Sequence, residues 1–582
     1  MFISAYSLED NELWKRHAVT LVSQVTVALY VFCKWWSGET RLLQAAVLIF
    51  VVGIIRFSEK PWALRRASLG TLLASASSTN LLLLLPRDKD EGGRARRFCS
   101  ALFCECANIF EVADRDDAEE RDFPRYSLQQ YVERAQKQAL KQQTEQSREL
   151  LKEENKEMPL KHIYSMFLDL SAPYSTRLHY LQLFLKIKEG DEHLVIGRWI
   201  RAQFIMMYTR IRSACTCLGL CTLLLIPCLA LASVVLLAKS SKDGYNKSDV
   251  TVTYILFSVT AVMDLLPFCF HFLLHCSRVA EYSWEDMVSQ HNIMLFCARK
   301  KKPSVLMKLA AAFSSCLSEY INKHWYIWHE PAAQQVSLLV RRHARDGWKK
   351  YISDSATYTR FSNLRGELAL SKHQPLLERL GWTFVDVQFD ELVLLWHVAT
   401  ELLLHHTTAA AAAALSQGGG DAVTSRRNSE IISNYMIYLL FVRPEMLMLG
   451  ATEGLFMLAC DQIELMIKKQ DDDDNDDDQP RSSLMGERIR LAQRILGTEM
   501  DDHLTAKAPM ICSAHKIAKE LIGHIKDDDE RWEVIQGVWV EMLCYSASRC
   551  RGYEHAKNLG HGGPPERFHP ADEEQTPAAD LV

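Results

Sequence analysis

From Ser213 to Ala238 the chain carries no charged residue, and no other stretch constrains the fold as much. It is long enough to cross a hydrocarbon core that takes about 20 apolar residues. In lipid a backbone must satisfy its own polar groups, so such a segment has to be a helix. Pro227 lies inside it and implies a kink that neighbouring helices accommodate. A second apolar run, Val250–Cys276, contains Asp264, His271 and His275. Two earlier stretches are weaker. Ala18–Cys33 ends on Lys34, Trp35 and Trp36, residue types that anchor a helix at a membrane interface. Leu42–Ile55 lies between Arg41 and Arg56 and is too short to span comfortably, which leaves a tilted, re-entrant or protein-buried segment open.

Basic residues near the span ends set the expected orientation. Lys15 and Arg16 precede the first segment, and Arg56, Lys60, Arg65 and Arg66 follow the second. Arg198, Arg201, Arg210 and Arg212 precede the third, and Arg278 and Arg299 to Lys302 follow the fourth. If all four cross, these clusters share one side, the cytosol, and residues 34–41 and 239–249 face outward. The sequon Asn246-Lys247-Ser248 falls in that second connection, too near a bilayer for glycosylation. Met1 is followed by no basic and apolar leader, so insertion is expected through an internal span.

Overall the chain is only 48% hydrophobic and 24% charged, close to a globular average. Long polar stretches must therefore accompany the apolar ones. A net charge of −5 argues against dedicated nucleic-acid binding. The 16 cysteines include no C-x-x-C pair, which reads as buried thiols acting as small hydrophobes. Palmitoylation of Cys33 or Cys276, each at a span edge, is the sharper alternative.

The expected class is mainly α: a multi-pass helical membrane region plus a helical cytosolic C-terminal domain. Residues 1–57 hold the two early apolar segments and 58–212 a cytosolic helical loop region. Within it Tyr126 to Glu157 reads as an exposed helix, and Ile163, Phe167, Leu168, Leu178, Leu181, Phe184 and Leu185 keep helical spacing. Residues 213–276 form a transmembrane hairpin and 277–408 a cytosolic helical region, with 284–350 and 380–404 helical by pattern. Ala409–Ala414, Gly418–Gly420 and Ser425-Arg426-Arg427-Asn428-Ser429 mark a flexible linker over 409–429. A helical region over 430–469, an acidic linker over 470–481, a helical domain over 482–560 and a disordered tail over 561–582 complete the order. Near 531–556 Trp532, Ile535, Trp539, Met542 and Leu543 share one helix face, which reads as core. Strand signals are scarce.

Asp264 is the sharpest candidate for chemistry. A carboxylate at membrane depth costs several kcal/mol unless paired, hydrated or protonated. His271 lies two turns on and His275 a further turn, roughly on the same face, where the three could relay protons or coordinate a cation. The plainer reading places Asp264 near an interface or against a neighbouring helix. His397, Glu401 and His405 stand at i, i+4 and i+8. Without an H-E-x-x-H motif, a buried hydrogen-bonded pair of His397 and Glu401 is the preferred reading over a metal site. The acidic run from Asp471 to Asp478 lacks the glycine and closing glutamate of a calcium loop. Arg426-Arg427-Asn428-Ser429 has the form of a basophilic kinase site. No P-loop, Rossmann glycine fingerprint, G-x-S-x-G or kinase set is present. No catalytic, metal or cofactor-binding residue is assigned, and no cofactor is expected.

Several runs resemble a plant family named for domain of unknown function 4220. They are Tyr6-Ser7-Leu8-Glu9-Asp10-Asn11-Glu12-Leu13-Trp14 with Arg16-His17, Val51-Val52-Gly53-Ile54-Ile55-Arg56-Phe57, and Trp284 with Cys297-Ala298-Arg299-Lys300-Lys301. Phe389-Asp390-Glu391, Trp396-His397-Val398-Ala399-Thr400-Glu401, Ser433-Asn434-Tyr435-Met436 and Arg443-Pro444-Glu445-Met446 are similar to its continuation. Trp532, Val538-Trp539-Val540-Glu541-Met542-Leu543-Cys544-Tyr545 and His555-Ala556 resemble the companion C-terminal domain of unknown function 594. The resemblance implies a plant multi-pass membrane protein and supplies no activity. It also implies further membrane helices before Ser7 and another apolar helix after His561-Gly562-Gly563, so the chain is expected to be truncated at both ends.

The leading expectation is a non-enzymatic scaffold or regulator in a plasma membrane or endomembrane. It would contact the lipid bilayer and bind unidentified proteins, not nucleic acid, through its cytosolic helices. A transporter or channel component using Asp264 comes second and a metal-dependent enzyme third.

Overall fold

The computed structural model describes residues 5, 8–35, 40–68, 126–145, 174–208, 217–241, 245–276, 287–300, 323–324, 326–406, 421–471 and 484–559. The described residues are mainly helical. Short helix α1 (Leu8–Glu12) leads into α2 (Trp14–Trp35) and α3 (Thr40–Ala67). The segment judged too short for a span is thus part of a 28-residue helix. Arg56 does not end it, because its guanidinium reaches Glu59 one turn on, at 3.2 Å, and the backbone stays helical through Pro61. Trp14–Lys34 and Thr40–Ala67 are the two described helices long and apolar enough to cross a membrane.

Further along, α4 (Leu128–Glu145), α5 (Tyr174–Lys186) and α6 (Glu192–Tyr208) precede α7 (Cys217–Lys239) and α8 (Lys247–Cys276). Among the described side chains of α7, Ile226, Ala230, Ser233 and Leu237 are buried on one face, with Pro227 buried beside them, and α7 packs along α3 and α8. Arg41 at the start of α3 donates to the Lys239 carbonyl at the end of α7, 3.1 Å away. Tyr254 of α8 donates to the Leu237 carbonyl at 3.4 Å. Among the described side chains of α8, Val252, Ile255, Leu256, Val259, Val262 and Met263 are exposed, together with Ser258 and the polar residues of the first turn.

Beyond the membrane-like helices, two four-residue strands correct the all-helical reading of 284–350. β1 (Met287–Gln290) pairs antiparallel with β2 (Trp328–Pro331), Ser289 opposite His329. Helix α9 (Ile293–Lys300) follows β1, and α10 (Ala333–Asp346) follows β2. A π-helical turn, Gly347–Tyr351, then leads to α11 (Ser355–Ser362). Gly347 sits against the Phe361 ring, and a Cβ there would collide with it. The turn carries Trp348 into a satellite core with Tyr131, Val132, Ala135 and Ala139 of α4. One stripe of α4 is therefore buried, not exposed as its polar composition suggests. Residues 146–157, Ile163, Phe167 and Leu168 lie outside the described residues.

The main core is built around a helix apolar on every side. Three short helices, α12 (Glu367–Leu370), α13 (Gln374–Leu380) and α14 (Trp382–Val385), lead to this central helix, α15 (Phe389–Leu404). In α15 every residue except Glu391 is buried, the polar residues Asp390, His397, Thr400 and Glu401 among them. Around it stand α16 (Asp421–Val442), α17 (Pro444–Leu447), α18 (Gly454–Asp471), α19 (Leu484–Gly497), α20 (Asp502–Lys507) and α21 (Pro509–His524). The chain closes with α22 (Asp528–Arg549) and α23 (Gly552–Leu559). Trp532, Ile535, Trp539 and Met542 of α22 are all buried. The expected last helix near 531–556 is in fact two, broken at Cys550 and Arg551. The expected linker over 409–429 is helical from Asp421 onward, and Ser429 is buried with its hydroxyl on the Ser425 carbonyl. That closes Ser429 to a kinase. The alanine and glycine runs, most of the acidic run and the tail lie outside the described residues.

Candidate functional site

Beyond Asp390 and Glu391 of the first turn, the polar side chains of α15 fall on one stripe: His397, Thr400 and Glu401, at helical spacing. Buried without partners, each would cost roughly 1–3 kcal/mol or more, and each is met by a neighbouring element. His397 Nδ1 lies 2.8 Å from Ser433 Oγ of α16. The Ile293 N–H at the start of α9 donates to His397 Nε2 at 3.4 Å. Thr400 donates to the Trp396 carbonyl and accepts from the Trp539 indole of α22 at 3.1 Å. His397 and Glu401, expected as a buried hydrogen-bonded pair, are both buried, but their hydrogen bonds run to other partners.

Glu401 is held by Arg488 of α19, whose Nε and Nη2 donate to its two oxygens at 2.8 and 2.7 Å. Arg488 Nη2 also donates to Glu430 of α16 at 2.8 Å. Burial alone would raise the Glu401 carboxyl, but the Arg488 charge and its hydrogen bonds outweigh it and hold the group to about 2. With both oxygens taken by a guanidinium, the row His397, Glu401, His405 does not converge on an ion. Among the described residues no group of three His, Cys, Asp or Glu side chains is placed to hold a metal.

The third wall comes from the turn after β1. Gln290 Nε2 donates to the Ile431 carbonyl at 3.1 Å, and Asn292 Nδ2 to Asn434 Oδ1 at 3.0 Å. The His291 N–H reaches the Asn434 carbonyl at 3.2 Å. The His291 ring is fully buried, with neither nitrogen hydrogen bonded. It lies among Phe296, Phe441 and Phe456, at centroid distances of 5.8, 5.1 and 5.3 Å. Burial, with a smaller push from His397, lowers it to about 3. Burial likewise brings His397 to about 4.

The hydrogen bonds assign the His397 tautomer. Nε2 accepts from Ile293, so Nδ1 carries the proton and donates to Ser433 Oγ. A histidine that donates to a serine leaves no lone pair to activate it, so the pair does not form a nucleophile and base. What the arrangement does is lock α9, α15, α16 and α19 in register.

A second polar contact joins the two ends of the chain. Tyr208, the last residue of α6, donates to the Ala556 and Lys557 carbonyls of α23 at 2.9 and 3.2 Å. Asn11 of α1 donates to the Met207 carbonyl at 3.1 Å. Glu9 accepts from Tyr553 at 3.2 Å and pairs with Lys557 at 3.4 Å. At the opposite end of α6, buried Glu192 pairs with Arg341 of α10.

The model for a domain of unknown function, DUF4220, matches residues 1–340. The chain belongs to the DUF4220 family. A second model, for the protein of unknown function DUF594, matches residues 524–564. Comparison with curated proteins and with solved structures returns no match. The DUF4220 region thus supplies Gln290, His291 and Asn292 to the seam, while His397, Ser433 and Arg488 come from the chain beyond it. The DUF594 region supplies α22 and α23. In it, Glu541 accepts the N–H groups of Gly366, Leu368 and Ala369 at 2.9, 3.2 and 2.7 Å and so seats the start of α12. Burial pushes that carboxyl up to about 8, against the pull of these donors.

Asp264, His271 and His275 lie on α8, but their side chains fall outside the described residues. Arg488 gave no signal in the sequence, since Glu487-Arg488-Ile489-Arg490 reads as a solvated helix face. The signal that was present is positional: the Trp396 to Glu401 and Ser433 to Met436 runs, read only as resemblance, are the helical stretches of α15 and α16 that form this seam.

Proposed function

We propose that this DUF4220 chain is a multi-pass membrane protein whose cytosolic helical region binds other proteins, without catalysis of its own. One observation carries the membrane part. Val252, Ile255, Leu256, Val259, Val262 and Met263 of α8 are each more than half exposed, at three- and four-residue spacing. At about 25 cal/mol per Å², a continuous apolar stripe of this kind is unfavourable in water and favourable against lipid. Val19, Val22, Val27 and Tyr30 of α2 are exposed in the same way. The packing of α2, α3, α7 and α8 on one another supports four crossings rather than two. The basic residues at the Trp14 end of α2 and the Ala67 end of α3 support a cytosolic placement of that end.

The scaffold reading rests on the seam. Its polar groups are directed at one another and fix helix positions, so the domain presents preset helical faces. Alkaline carbonate extraction of the expressed full chain tests the membrane part: retention in the pellet is expected, and release overturns it. Proximity labelling from the C-terminal region in cells tests the rest. A reproducible set of soluble neighbours is expected; recovery of bulk membrane proteins alone overturns the scaffold reading.

A further inference from the structure

We infer that the adjoining ends of α2 and α3 form a docking surface for the phosphate groups of anionic phospholipids. The inference rests on the membrane placement above and adds a ligand to it. The antiparallel return of α3 along α2 brings Arg65 over the Trp14 ring, 5.1 Å from its centroid, and Lys15 over the same ring at 5.8 Å. Arg66 covers Trp62 at 4.5 Å. The indoles thereby hold cations in place at one level of the helix pair. Lys15, Arg16 and Lys60 are exposed beside them, and none forms a salt bridge to a described residue.

Position decides between a lipid and a free anion. Val19 and Val22 of α2 are largely exposed, and Val19 lies about 6 Å along the axis from Lys15. A ring of cations one turn from an apolar surface matches a molecule whose phosphate sits directly above acyl chains. At the other end of these helices Arg41 is engaged by the Lys239 carbonyl. Of the acids nearby, Glu9 is turned to Lys557 and Tyr553 and Glu59 to Arg56, which sets Asp10 and Glu12 against Lys15, Arg16, Lys60, Arg65 and Arg66.

The test uses the full chain, reconstituted in bilayers of mixed phosphatidylserine and phosphatidylcholine and then stripped with mild detergent. Retained lipid is measured by mass spectrometry. Phosphatidylserine is expected to be enriched over the bulk mixture, with each neutralised cation lowering the preference by about fivefold. The combined variant Lys15→Gln, Arg16→Gln and Lys60→Gln should lose the enrichment, and Lys15→Arg with Lys60→Arg should keep it. Both variants are first shown to remain carbonate-resistant, which separates lost headgroup binding from failed insertion. Wild-type chain that is integral yet shows no preference overturns the inference and leaves the membrane placement standing. Enrichment that survives in the glutamine variant, or that excess inorganic phosphate abolishes, overturns it as well. A chain that never becomes integral overturns both readings together.

Discussion

Arg488 grips both carboxylate oxygens of Glu401, at 2.8 and 2.7 Å, in a core that leaves Glu401 only 1% exposed. The two charges come from α15 and α19, which the alanine run, α16 to α18 and the acidic run separate in sequence. Because Arg488 also holds Glu430, one guanidinium ties three helices. The neighbouring bonds of His397, Ser433, Asn434 and Asn292 add the strand turn after β1. A seam of this kind specifies which helix faces meet in a core whose apolar residues alone would tolerate several arrangements.

Removing one member of the pair strands the other. Arg488→Met should cost about 3–5 kcal/mol, the usual penalty for an uncompensated buried charge. Glu401→Leu combined with Arg488→Met should recover most of that loss, since Glu430 is a third exposed and can be solvated. Denaturant unfolding followed by tryptophan fluorescence provides the measurement. Equal losses in the single and double variants would show that the pair's worth is packing, not charge.

Acid should weaken the same core. Unfolded histidine takes a proton near 6.5, whereas buried His397 does so at about 4 and buried His291 at about 3. Between those values the unfolded chain binds more protons than the folded one. The contribution of the two histidines is therefore complete above about pH 6.5 and declines as pH falls toward 4 and then 3, by up to about 1.4 kcal/mol per unit for each, while Glu541, raised to about 8, acts in the opposite sense. The ring of His291 makes no hydrogen bond, so His291→Leu should remove its share of the slope. Urea midpoints compared at about pH 7 and about pH 5 decide it; an unchanged slope in the variant rules out His291 as a contributor.

The contact between chain ends should behave as a local latch. Tyr208→Phe removes a donor to two carbonyls and should cost about 1 kcal/mol. Glu9→Lys should weaken the latch by less, since its pair with Lys557 is exposed, and Lys557→Glu should restore it. Hydrogen exchange is expected to quicken over 552–559 and not over 389–404. Faster exchange throughout the domain would mean that α23 is part of the global folding unit.

Helices whose burial is written in their own residues were legible in advance. In α15 the apolar residues run all round, and in α22 Trp532, Ile535 and Trp539 mark one side. Features that depend on a distant partner were not. His291 stands in Gln290-His291-Asn292, a polar run that resembles a loop, and only Phe441 and Phe456, far along the chain, turn it into a core residue. Arg56 looked like the end of a span because its partner Glu59 lies beyond the apolar run. Four-residue strands such as Met287–Gln290 are too short to show a period. The long apolar helices were legible as apolar runs, but their outward faces emerged only from the packing of α7 between α3 and α8.

Gly366 gives the sharpest test of how α12 is seated. Its φ is +140°, and a Cβ there would lie 2.6 Å from Phe384 and 2.9 Å from Val538. Its N–H also donates to Glu541, so the backbone cannot rotate to relieve the clash without breaking the cluster of bonds that anchors α12 to α22. Strain and overpacking then act together, and Gly366→Ala should cost about 3 kcal/mol. Gly523, exposed near the end of α21 with open space around it, provides the opposite case. There alanine should be neutral or stabilise by up to about 1 kcal/mol through helix propensity. Thermal and denaturant unfolding of the two variants should move in opposite directions from wild type. If Gly366→Ala is as stable as Gly523→Ala, the backbone at 366 is free to relax and the Glu541 anchor does not constrain it.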